Sequence, residues 1–347
     1  MDKIDAKKSL GQNFLNSDGA LDAIIKAGRV VKGDTVLEIG PGKGALTKRL
    51  LEAGANVIAV EKDDRLIPVL EDLFANEIKA KKLKLIHGDI LELDVSEAIL
   101  SVVIPAKAGI QSENTDLGHE YFSAEKSLDP DSRRRAPSLN RIPYDSTPAF
   151  TRMTKEGANY KLIANIPYYI TGEITRKFLS GNFQPSLIVV LVQKEVAERI
   201  TTSIQGKSKI KEGKESILSI SVKVYGDPKY IQTVKAGCFF PPPKVDSAIL
   251  LIDNISKDRL CHSREGGNPG SRSMDPRIRK DDNLEQFEQK FFEVVKTGFA
   301  HKRKTLSSNL KGMVSKEKLA ELGIDEKERA ENLTLEQWLE ITGGIRL

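Results

Sequence analysis

The chain has 347 residues, 39% hydrophobic and 30% charged, which is enough for two domains or one enlarged one and supplies ample core material. No apolar run approaches the ~20 residues of a membrane helix, and Met1 to Lys8 has no apolar signal-peptide core, so a soluble cytoplasmic protein with no membrane partner is expected. The net charge of +5 suits a polyanionic partner without requiring one, and Cys238 and Cys261 have neither metal nor disulfide spacing, so no metal is expected.

Lys7 to Leu15 is too polar, and too broken by Gly11, for a core helix. By composition it reads as a surface arm. The sharper alternative is an ordered lid in which Gln12 and Asn13 supply hydrogen bonds, Phe14 and Leu15 anchor, and Lys7 and Lys8 face phosphate. Asn16, Ser17 and Asp18 then look like caps for an amphipathic helix carrying Leu21, Ile24 and Ile25.

Val36, Leu37 and Ile39 read as the end of a buried strand. Gly40, Gly42 and Gly44 make a tight turn, and a helix begins at Ala45. Bare backbone there lets a ligand approach, and a helix N-terminus attracts negative charge. The spacing from Glu38 is E-x-G-x-G-x-G, not the G-x-G-x-x-G of a dinucleotide fold. It suits a cofactor with a carboxylate and an adenosine but no phosphate, which points to S-adenosylmethionine. A glycine-rich turn with no ligand is the competing reading.

Asn56 to Val60 reads as a second strand, ending in Glu61 about 20 positions after the glycine turn, where ribose hydroxyls are held. A carboxylate there would repel a 2′-phosphate. Leu66 to Phe74 reads as a helix and Leu83 to His87 as a third strand, followed by Gly88 and Asp89. Asp89 could accept from an adenine amino group or could be an ordinary helix cap.

The periodicity then breaks. Residues 101–155 carry prolines at 105, 130, 137, 143 and 148 and an arginine run at 133–135, and read as a disordered insertion. A second such stretch spans 256–283. Val103 to Gln111 and His262 to Pro269 resemble translated mobile palindromic repeats, which survive where a surface loop tolerates them.

Order returns at Tyr160, with a buried strand ending in Asn165, Ile166, Pro167 and Tyr168. The exocyclic amine of adenine is a poor nucleophile because its lone pair is delocalised into the ring. The Asn165 side-chain oxygen and the Ile166 carbonyl can each accept one amino hydrogen, pulling the nitrogen towards tetrahedral geometry. Pro167 stiffens the turn and removes a competing donor. The Tyr168 ring can stack on the base.

Thr171 to Leu179 reads as a helix capped by Thr171, Ser186 to Val192 as a buried strand and Gln193 to Ile200 as a helix. Lys207, Lys209, Lys211 and Lys214 form a cationic loop, for phosphate contact or plain solubility. Glu215 to Val224 can be helix, and Tyr230 to Lys235 and Ser247 to Ile252 read as closing strands. Between these strands the prolines after Phe240 stiffen a loop that can present Phe239 to the other face of the base, where stacking is worth ~1–3 kcal/mol. From 284 to 347 the pattern is helical. Phe287, Phe291, Val294 and Val295 share one face, Trp338 is expected in the core, and His301 to Lys304 are basic.

Glu38 to Gly42, Asn165 to Tyr168 and Ser9 to Leu15 together resemble the bacterial ribosomal RNA small-subunit adenine N6,N6-dimethyltransferases, over nearly the whole chain except the two excursions. The resemblance implies a cofactor site at Asn13, Leu15, Gly40, Glu61, Asp89 and Asn165. It implies dimethylation of N6 on two adjacent adenines in a hairpin near the 3′ end of 16S rRNA, with His301 to Lys304 meeting the RNA backbone. It also implies that the proline-rich loop flanks the target adenine. The expected fold is α/β, a Rossmann-like S-adenosylmethionine-dependent methyltransferase sheet over 1–252, with a small helical RNA-binding domain at 284–347, acting as a monomer. Two rivals are a ribosome-assembly factor that binds RNA without catalysis and an enzyme methylating a large-subunit (23S) rRNA adenine.

Overall fold

The computed structural model describes residues 5–103, 159–202, 214–262 and 280–345. The chain divides into two compact units, Met1–Ile99 with Asn159–Leu347, and Leu100–Ala158. Nearly all described residues belong to the first. The insertions expected at 101–155 and 256–283, and the lysines at 207, 209 and 211, fall largely or wholly outside the described residues. The flanks of the second insertion are helical, at Asp258–His262 and Lys280–Gly298.

In chain order the strands are β1 (Phe14–Leu15), β2 (Thr35–Ile39), β3 (Asn56–Glu61), β4 (Leu83–His87), β5 (Lys161–Ala164), β6 (Leu187–Gln193), β7 (Asp227–Val234), β8 (Phe239–Phe240) and β9 (Ser247–Asp253). Seven of them form one sheet in the order β4-β3-β2-β5-β6-β9-β7. The first five are parallel, and β9 runs antiparallel to both β6 and β7. Every residue of β2 is buried, as are Leu187 to Val192 of β6. Such continuous apolar strands belong in a sheet covered on both faces. On one face, Val36, Val57 and Ile163 pack with Leu21 and Ile24 of helix Asp18–Ala27 and Leu46 and Leu50 of helix Ala45–Glu52.

Ser17 caps helix Asp18–Ala27 through the Ala20 N–H, as its sequence suggests. Thr171 does not cap its helix. It is the first residue of Thr171–Ser180, is buried, and its carbonyl accepts from the Thr175 hydroxyl four residues on, at 2.6 Å. The two-stranded pair β1-β8 lies outside the main sheet and ties the N-terminal arm to the segment before β9. The arm is thus ordered rather than loose.

In the C-terminal helices Phe287, Phe291, Val294 and Val295 are buried, and Trp338 of helix Leu335–Gly343 is fully buried and stacked on Phe299. The Glu215 N–H donates to the Glu331 carbonyl at 2.7 Å, and Lys214 pairs with the Glu331 carboxylate. Glu288 accepts from Tyr225 and from Lys257, which joins the first C-terminal helix to the end of the sheet. Among the described residues no helix is long and apolar enough to cross a membrane.

Candidate active site

The strand order reverses beside β2: the chain steps outward through β3 and β4, then returns to lay β5 on the other side. Crevices in open α/β sheets form outside the carboxyl ends of strands at such a reversal. The loop after β2 begins at Gly40 and the loop after β5 at Asn165, and both line one pocket together with the arm. Gly40 and Gly42 have φ of +68° and +59°, in the left-handed region that glycine enters without strain. A Cβ on Gly42 would lie 2.9 Å from the Phe14 ring, so the turn and the arm meet with no room for a side chain.

Glu61 ends β3 and is almost wholly buried. Its carboxylate accepts from the Gly42 N–H at 3.0 Å and the Asp63 N–H at 2.8 Å. Burial pushes its pKa up, opposed by these backbone donors. One oxygen of Asp89 accepts from the Leu91 N–H at 2.9 Å and the other pairs with Lys62, which holds its carboxyl below the usual range. Asp89 thus caps the turn of its own loop, and it also lines the pocket.

Leu10 to Leu15 form one wall. Asn13 donates its side-chain N–H to the Gly11 carbonyl at 3.2 Å, and its own carbonyl accepts from the Asn165 side-chain nitrogen at 3.0 Å. With that nitrogen engaged, the Asn165 side-chain oxygen is left for the pocket. Ile166 and Pro167 line the same wall. The Tyr168 hydroxyl shares a 2.6 Å hydrogen bond with Ser247 at the start of β9, which fixes its ring.

The family model for ribosomal RNA adenine dimethylase matches residues 3–261. The chain belongs to this family. It is 33% identical to a "Ribosomal RNA small subunit methyltransferase A" from Dehalococcoides mccartyi (strain CBDB1), over 96% of this chain and 86% of the relative. It is 30% identical to the protein of the same name from Clostridium acetobutylicum, over 97% and 93% of the two chains. A dimethyladenosine transferase from Plasmodium falciparum has the same fold, with a TM-score of 0.57 at 21% identity over 94% of this chain and 95% of that one. So does the 23S rRNA methyltransferase ErmE, with a TM-score of 0.55 at 19% identity over 95% and 98%.

Not every residue expected at the site is brought to this pocket. Asn13, Leu15, Gly40, Glu61, Asp89 and Asn165 to Tyr168 all line the pocket, but Phe239 does not. The β1-β8 register places Phe239 opposite Leu15, and cross-strand partners share a face. Leu15 is buried, so Phe239 is carried into the core and only 4% of it is exposed. Its neighbour Phe240, on the other face, is 62% exposed.

Three features in and around this pocket go beyond what the sequence assigned. Glu38 lines the pocket fully buried, one carboxyl oxygen finds no hydrogen bond, and burial pushes its pKa up to about 8. An acid inside the apolar run Val36–Ile39 was a legible signal. Lys177 donates to the carbonyls of Ile90, Leu91 and Leu93, holding the loop after Asp89. Gln12 bonds Asp63 at 2.8 Å. The hydrogen-bonding part of Gln12 was expected but its partner was not, and Lys177 has no sequence signal. His301, Lys302 and Lys304 line a separate cleft of about 490 Å³ with Arg199 and Arg329. Among the described residues no group of three potential ligands could hold a metal.

Proposed function

We propose that this chain dimethylates N6 of two adjacent adenines in the 3′-terminal hairpin of 16S rRNA during small-subunit maturation. S-adenosylmethionine supplies an electrophilic methyl group on a cationic sulfur. The donor set fits such a molecule. Glu61 offers a carboxylate for ribose hydroxyls, Asp89 an acceptor for an adenine amino group, and Gly40 open backbone. Asn13 and Leu15 close the same pocket from the arm.

The observation that carries the reading is the anchoring of the Asn165 amide by the arm. Its nitrogen is held by Asn13, so its oxygen can accept one hydrogen of a flipped adenine's amino group while the Ile166 carbonyl accepts the other. The nitrogen lone pair is thereby released from the ring and aimed at the methyl carbon. Alignment and two fixed acceptors do this work without a general base. After transfer the nitrogen carries a positive charge and sheds its proton readily. Tyr168, its hydroxyl held by Ser247, would stack on the base. The two arginines and the lysines of the second cleft would contact phosphate.

Incubating the protein with labelled S-adenosylmethionine and undermethylated 30S particles tests the reading. Label on adenine N6 is expected, and its absence would overturn the assignment. The relatives named for the small subunit favour 30S over 23S RNA as substrate, and the intact Asn165 turn speaks against a factor without catalysis.

A further inference from the structure

Gln12 is bonded at both ends of its amide. Its oxygen accepts from the Lys7 N–H at 2.7 Å, and its nitrogen donates to Asp63 at 2.8 Å. The Asp63 side chain is completely buried. Arg65 grips it with two guanidinium nitrogens, at 2.9 and 2.6 Å, and keeps its carboxyl ionised well below the usual range. The Asp63 N–H in turn donates to Glu61 at 2.8 Å. One residue beyond Gln12, the Asn13 carbonyl holds the Asn165 amide. A continuous set of contacts thus runs from the end of β3, through the arm, to the turn after β5.

We propose that Gln12 is a positioning residue for methyl transfer: by fastening the arm to Asp63 it seats the Asn13 carbonyl, and that carbonyl turns the Asn165 oxygen towards the target amine. The proposal rests on the role given to Asn165 above. Gln12 suits the position because the site needs one acceptor, for Lys7, and one donor, for an anion. Glutamate has the same shape and keeps the acceptor, but sets a second carboxylate against Asp63. Like charges at that distance, one of them buried, repel strongly. The arm is then pushed off Asp63 while its pairing with β8, made by Phe14 and Leu15 through backbone, is untouched.

The test is single-turnover methylation of undermethylated 30S particles at saturating S-adenosylmethionine, with the full chain. Gln12→Glu is expected to lower the rate by about tenfold or more, with a thermal midpoint within about 3 °C of wild type. Adding Asp63→Asn restores a donor and removes the repulsion, because the new amide can give its N–H to the carboxylate introduced at position 12 while its oxygen still accepts from Arg65. The double variant is expected to recover most of the loss. A Gln12→Glu rate within about twofold of wild type would overturn the proposal. So would a loss that Asp63→Asn does not repair, since that marks general damage rather than a misplaced arm. Asn165→Ala, run alongside, separates the two claims: if it transfers methyl normally the reading of the site fails, and if it is slow while Gln12→Glu is not, only the role of Gln12 fails.

Discussion

The side-chain nitrogen of Asn165 donates to the main-chain oxygen of Asn13 at 3.0 Å, across 152 positions of sequence. An amide has one donor end and one acceptor end, so a contact that engages the first determines where the second points. The direction of the acceptor is therefore set by the arm and not by the turn that carries Asn165.

This makes Asn165→Asp informative beside Asn165→Ala. Aspartate keeps the size but presents an oxygen to the Asn13 oxygen, and the two repel. Both variants are expected to lower single-turnover methylation by about 10²-fold or more, the scale seen when one preorganised polar contact is lost from a reacting centre. Binding of S-adenosylhomocysteine, followed by calorimetry, should change far less. An aspartate variant at near wild-type rate would show that the amide's donor end has no part in catalysis.

Glu38 gives a pH dependence with a definite sign. Burial pushes its carboxyl up to about 8, whereas in the unfolded chain it titrates near 4.5. Between those values the folded protein keeps a proton that the unfolded chain has released. Stability therefore falls as pH rises through that window and levels off above about pH 8. Each pKa unit corresponds to ~1.4 kcal/mol. Glu38→Gln keeps the shape of the neutral acid and removes its titration. Urea midpoints measured from pH 5 to 8.5 should fall less steeply in the variant, with its advantage over wild type largest at high pH. Glu61, also raised by burial, retains part of the slope. Parallel curves for the two proteins would refute the assignment.

Much of this site was legible because its residues sit where strands end. Gly40, Asp89 and Asn165 follow β2, β4 and β5, Glu61 is the last residue of β3, and a buried strand that stops at a polar or glycine residue leaves a clear mark in sequence. The β1-β8 pairing left none. Each strand has two residues, too short for any alternation to show which face is which, so Phe239 and Phe240 could not be told apart. The partners of Gln12 and Lys177 were hidden for another reason. Both are polar residues on exposed-looking segments, and only the tertiary fold supplies the buried carboxylate and the three carbonyls they meet.

Gly42 is expected to tolerate no side chain. Alanine there would have to hold φ near +59° and would press its Cβ against the Phe14 ring at 2.9 Å. A non-glycine residue forced into that region costs about 1–3 kcal/mol. The strain falls on the turn whose N–H donates to Glu61, so cofactor binding should suffer along with stability. Gly42→Ala should show a lower thermal midpoint and at least about tenfold weaker binding of S-adenosylhomocysteine. Unchanged affinity would mean that the turn does not border the cofactor.

Lys177 lies on helix Thr171–Ser180, yet its ammonium donates to the Ile90, Leu91 and Leu93 carbonyls at 2.7, 3.1 and 2.7 Å. The Leu91 N–H donates to the Asp89 carboxylate and the Glu92 and Leu93 N–H groups donate to the Asp89 main-chain carbonyl, so the loop closes on Asp89 while a cation holds its own carbonyls. Lys177→Met keeps the length of the side chain and removes the three donors. Leaving carbonyls without partners in a half-buried site costs about 1–3 kcal/mol. The loop should open more often, and amide hydrogen exchange at Leu91 to Leu93 should quicken while exchange in β2 and β5 stays as in wild type. Because Asp89 is carried by that loop, affinity for S-adenosylhomocysteine should fall in step. Exchange at Leu91 to Leu93 as slow as in wild type would mean that Asp89 alone suffices to order the loop.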